Sequence, residues 1–77
     1  MRISQKDLED LVTVLNNRTG NKYDYDLGYA YGGVRLESHG GSVDVLYRTT
    51  KREQYDLIQA LLKGLEIADN MAREGVA

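Results

Sequence analysis

The apolar residues of this chain change their spacing twice, and that switch constrains the fold more than any other feature. Leu8, Leu11, Val12 and Leu15 recur at steps of three and four. That spacing gathers them on one face of a helix. From Lys22 to Thr49 the period drops to two. Tyr25, Leu27, Tyr29 and Tyr31 alternate with Asp26, Gly28 and Ala30, then Val34 and Leu36 with Arg35 and Glu37, then Val43, Val45 and Tyr47 with Asp44, Leu46 and Arg48. Alternation of this kind is the mark of a strand with one buried face. Past Thr50 the helical spacing returns in Tyr55, Ile58, Leu61, Leu62, Leu65, Ala68 and Ala72, with Leu57 and Ile67 widening the stripe.

The boundaries carry their own signals. Ser4 stands where a helix N-cap accepts from a first-turn N–H, with Asp7 three residues on and Ile3 and Leu8 at the staple positions. Thr50 and Glu53 repeat the capping-box spacing before the last helix. Gly20 suits the left-handed position past a helix end. Gly32-Gly33 and 38–42 read as tight turns. The expected elements are a helix over about 5–17, strands over about 23–31, 34–38 and 43–49, and a helix over about 51–73. They form one α+β domain over 1–77 of α-β-β-β-α order, a three-stranded antiparallel sheet with both helices on one face and the other face open. Gly64 falls inside the last helix, where close approach of a strand or of the first helix explains it best. The end, 70–77, is expected to fray.

Composition narrows the chemistry. The 77 residues include no Cys and one His, so a thiol nucleophile, a disulfide framework and a His-rich metal cluster are excluded. Ten Lys and Arg against twelve Asp and Glu give a net charge of -2, which sets the chain apart from a wholly basic nucleic-acid binder. No apolar run approaches the length of a membrane span. The polar N-terminus does not read as a signal peptide, and the expected compartment is the cytoplasm. No catalytic constellation is recognisable, so the expectation is a binding protein rather than an enzyme, without a cofactor or a metal.

The binding candidates are few. Lys51 and Arg52 open the last helix, where two cations beside unpaired N–H groups can take a phosphate. Arg48 precedes them, and Arg35 can reach across the sheet. Tyr31 belongs to a tyrosine set that is a stacking platform if it faces outward and ordinary core if it follows Leu27 inward. His39 sits at the second turn. A protein partner is expected first. Nucleic acid is the alternative, and a small ligand held at a homodimer interface is the third reading.

Two resemblances follow from these residues. The element order, with Lys51-Arg52 at the last helix start and His39 in a strand turn, resembles the double-stranded-RNA-binding domain. That likeness implies RNA contact by the last helix, although the basic cluster is reduced to Lys51 and Arg52 and the turn lacks a Pro. A closer likeness covers about residues 4–68. Ser4-Gln5-Lys6-Asp7-Leu8-Glu9, Leu15-Asn16-Asn17-Arg18-Thr19-Gly20, Tyr31 to Leu36, Thr50 to Asp56 and Gly64-Leu65-Glu66 resemble small proteins of tailed bacteriophages and prophages. It implies an accessory protein that binds a host or phage protein in the bacterial cytoplasm. It implies no particular activity.

Overall fold

Ser4 starts the first helix as its spacing predicts. In the computed structural model, which describes residues 2–74, the Ser4 hydroxyl accepts from the Asp7 N–H at 3.2 Å. The Asp7 carboxylate accepts from the Ser4 N–H at 2.9 Å, completing the capping box. Helix α1 runs Gln5–Arg18. It is followed by β1 (Asp26–Ala30), β2 (Gly33–Ser38), β3 (Val43–Asp44) and α2 (Lys51–Arg73). The sheet is antiparallel throughout, in the order β1-β2-β3. The α-β-β-β-α order is therefore as expected.

Register decides which side chains meet. Leu27 pairs with Leu36 and Tyr29 with Val34, so these four share a face. Val34 and Leu36 are buried there with Leu8, Val12 and Leu15 of α1, Ile58 of α2, and Ile3 at the staple position. Both helices cover this face. Burying each such side chain stabilises the fold by roughly 1.5–3 kcal/mol.

Two strands are shorter than the alternation predicts. The first begins at Asp26, not near Tyr23, because the backbone of Tyr25 is claimed elsewhere. Asn16 of α1 accepts from the Tyr25 N–H at 2.8 Å and donates to its carbonyl at 3.0 Å. Asn21 and Asp24 take left-handed φ values of 58° and 50°, which break extended geometry.

The third strand ends at Asp44 instead of reaching 49. Val45 and Leu46 both donate to the Leu36 carbonyl, at 2.9 and 3.2 Å. Two residues opposite one is a bulge, and it bends the chain out of the ladder. Pairing resumes only at Thr49, which exchanges both backbone bonds with Val34. Into this gap α2 inserts Gln54, which is fully buried. Its Oε1 accepts from the Leu36 N–H at 3.1 Å. Its Nε2 donates to the carbonyls of Val34 and Tyr47, each at 3.0 Å, and to Thr49 Oγ1 at 2.9 Å. A side-chain amide thus completes a ladder that backbone alone leaves open.

Two expectations about α2 are corrected. Gly64 approaches nothing, since a Cβ added there would meet no atom within 4 Å. A glycine in an open helix interior costs about 1 kcal/mol relative to Ala, and nothing within the fold offsets it. The helix also stays regular through Asn70 to Arg73, where fraying is expected from the sequence. Residues 75–77 of that expectation lie outside the described range. Among the described residues, no helix is long and apolar enough to cross a membrane.

Candidate functional site: the tyrosine–glycine tip

The hairpin joining β1 to β2 turns one residue earlier than Gly32-Gly33. Ala30 pairs with Gly33, leaving Tyr31 and Gly32 as the two central residues. Their φ values are 52° and 73°. Positive φ at both positions is the geometry of the hairpin turn that matches strand twist, and it favours Asn-Gly or Gly-Gly. Gly32 fits this requirement. Tyr31 does not, because a bulky side chain in the left-handed region costs about 1–2 kcal/mol. Its ring is nevertheless 100% exposed and recovers nothing by packing.

The residues around Tyr31 explain how the tip is held. A Cβ on Gly33 would lie 3.0 Å from the Thr49 carbonyl and 3.1 Å from Arg48 Cγ. Glycine lets Arg48 cross here without displacing its neighbours. The Arg48 Nη1 then donates to the Gly28 carbonyl at 2.9 Å and to those of Ala30 and Gly33 at 3.4 Å each. The arginine backs the turn from behind. Tyr47 is 69% exposed beside it, and with Tyr31 it walls a hollow of about 450 Å³ floored by Gly33 and Thr49. On the other side of the turn, Tyr29, Gln5 and Lys51 border a second hollow of about 400 Å³. Tyr29 shares the face of Leu27, as the alternation requires, yet at the sheet end it stays 42% exposed. Burial, then Glu9 and Asp26, push its phenol above the ordinary value, so it remains a proton donor well past neutral pH.

The six residues singled out in the sequence do not form one site. Tyr31 and Lys51 flank the Gly32-Gly33 segment, with Arg48 behind it. Arg52 lies one residue beyond Lys51 and pairs with Asp56 at 3.5 Å. Arg35 is elsewhere and already engaged, with Glu37 at 2.6 Å and Asp44 at 3.2 Å. The hydrogen bond it donates to Glu37, and then the charges of Asp44 and Glu37, hold its guanidinium above its ordinary value. His39 is at the opposite end of β2, in a left-handed turn with φ 55°, its ring 6.3 Å from that of Tyr23. The structure therefore joins Tyr31, Arg48 and Lys51 and separates them from His39.

The sheet face away from the helices is not the bare platform that the element order suggests. Arg35, Glu37 and Asp44 link across it. A Cβ on Gly28 would lie 2.5 Å from Glu37 Oε2, so the glycine makes room for that carboxylate. Charges satisfied within the sheet leave this face little to offer a partner. A hollow of about 630 Å³ forms a trough between α1 and α2, edged by Val14 and Ala60. Its charged rim is also engaged, Arg18 with Asp69 at 3.1 Å and Lys63 with Glu66 at 3.7 Å.

Tyr29 and Tyr47, members of the tyrosine set but not singled out for binding in the sequence, border the hollows beside Tyr31. The signal that could find them is their position at element ends, where alternation no longer implies burial. Compared with protein-family models, curated proteins and solved structures, the chain matches none.

Proposed function

We propose that the protein is a non-enzymatic binding module that grips a protein partner with the tip built on Tyr31, Tyr47 and Tyr29. Tyr31 is the observation that carries this reading. A bulky aromatic sits in a strained turn position and is wholly exposed, so its place in the fold is not explained by stability. Strain retained without internal benefit marks positions used for contact. Tyrosine suits that use, because a rigid ring brings a large contact area and a polar end at small entropic cost. Lys51 adds one cation at the rim.

The resemblance to small phage and prophage proteins supports an accessory role in the bacterial cytoplasm, with a host or phage protein as the target. Nucleic acid is the less favoured ligand. Arg35 and Arg48 are engaged within the sheet, and Glu53 and Asp56 stand beside Lys51 and Arg52.

The test is capture from bacterial lysate with the wild-type chain and with a Tyr31→Asn/Tyr47→Ala chain, asparagine being a residue the turn accepts. The expected result is a stoichiometric protein held by the wild type and lost from a Tyr31→Asn/Tyr47→Ala chain of unchanged circular dichroism. Retention of the same protein by that variant sinks the reading. Salt-sensitive binding of duplex RNA or DNA, abolished by Lys51→Glu with Arg52→Glu, replaces it with the nucleic-acid one.

A further inference from the structure

Helix α2 carries two apolar seams, and the fold uses one. Ile58, Leu61 and Leu65 face the core. One position before each, Leu57, Ala60 and Gly64 begin a second series, continued by Ile67 and Met71 at the same alternating steps of three and four. Such steps align residues along one side of a helix over four turns. Ile67 is 49% exposed and Met71 56%, while Ala60 and Gly64 face solvent and Leu57 is half-buried. The charged residues between 57 and 72 are Lys63, Glu66 and Asp69, and none falls on this series. Asp69 is held by Arg18 and Lys63 by Glu66.

We propose that this seam joins two copies of the chain, their α2 helices crossing at Gly64 about a twofold axis. Area favours a second copy. The chain exposes 5321 Å², against about 4,700 Å² expected for a folded chain of its size. The surplus approaches the ~800 Å² that each partner covers in a standard interface. The radius of gyration, 13.4 Å, likewise exceeds the ~11.5 Å of a compact chain of this length.

Shape favours it too. Ile67 and Met71 form a ridge along a four-residue row, and Gly64 with Ala60 and Ala68 forms a shallow row beside it. A twofold axis lays each ridge into the partner's shallow row, which is the commonest way for helices to cross. Gly64, unexplained within one chain, is the point where two helix backbones come closest. A core of seven buried apolar side chains among the described residues is also small enough to gain from a partner.

Sedimentation equilibrium of the full chain, from micromolar to submillimolar concentration, tests this. The wild type is expected to show twice the chain mass. Ile67→Glu with Met71→Glu should show the single mass with its helical circular dichroism intact. Gly64→Leu, whose side chain meets open space in one chain, should raise the dissociation constant at least tenfold. If the double variant loses its helix signal, the Gly64→Leu result decides alone. A wild type of single mass throughout, or a dimer that these variants leave unaltered, overturns the proposal. The dimer should survive Tyr31→Asn, which separates this result from the fate of the tip.

Discussion

Gln54 is a polar residue at the head of an apolar stripe, and its amide touches β2, the carbonyl of Tyr47 and Thr49 at once. Replacement by Leu keeps the volume and removes every hydrogen bond, leaving the Leu36 N–H and two carbonyls without this partner. Each such loss costs about 1–3 kcal/mol, so Gln54→Leu is expected to lower stability by roughly 3 kcal/mol in urea titration. A change under about 0.5 kcal/mol, the range of ordinary surface substitutions, would show that water replaces the amide. Tyr31 predicts the opposite sign. Tyr31→Asn removes left-handed strain and should raise stability by about 1 kcal/mol while weakening the partner at least tenfold. Asp7 adds a pH dependence. Hydrogen bonds from the Ser4 backbone and then its side chain hold its carboxyl below the ordinary 3.8. A lowered folded value means the stabilisation is present above that pH and lost as pH falls through the folded value. Asp7→Asn should therefore flatten stability against pH on the acid side, which thermal melts at stepped pH read directly.

The elements differ in how plainly their residues announced them. Both helices were legible because caps and apolar spacing agree: Ser4 with Asp7, Thr50 with Glu53, and stripes that face the core as far as Leu65. The third strand was not. Val43, Val45 and Tyr47 alternate as a strand should, but a bulge depends on a partner strand and on Gln54 arriving from a helix, neither of which local alternation reports. Asn16 hid the start of β1 in the same way, through a contact across nine residues of chain. At the tip, the glycine pair pointed to the turn, while its left-handed residue proved to be Tyr31. The direction of Arg35 and Arg48 depends on which glycines lie beneath them, so their engagement within the sheet needed the register. Those glycines give a paired prediction. Gly28→Ala displaces only the mobile end of Glu37 and should destabilise to the extent that the Arg35–Glu37 pair is lost. Gly64→Ala meets no atom and should stabilise the dilute chain by up to about 1 kcal/mol. Parallel chemical melts of the two variants check the signs.

At the scale of the molecule, α2 is the longest feature. Its 23 residues span about 34 Å within a body 47 Å along its longest axis. Its last two turns expose Ile67, Ala68, Met71 and Ala72. With few buried contacts, the amides of 66–73 should exchange quickly in dilute solution and slow as concentration rises and the second seam is covered. Hydrogen exchange by mass spectrometry at two concentrations measures this, and protection independent of concentration would count against the covered seam.

The gap in the sheet that Gln54 fills also has a temporal meaning. A chain is made from its N-terminus, and all three strands of this one exist before residue 54 does. Until that glutamine is added, the Leu36 N–H of β2 and the Tyr47 carbonyl beyond the bulge lack the partner it supplies, and α2 has not begun to cover the core face. The hydrogen bonding of the sheet is therefore completed only with the helix. Strands and last helix must mature together, and a chain interrupted before its final third holds its hairpin exposed to whatever else is in the cell.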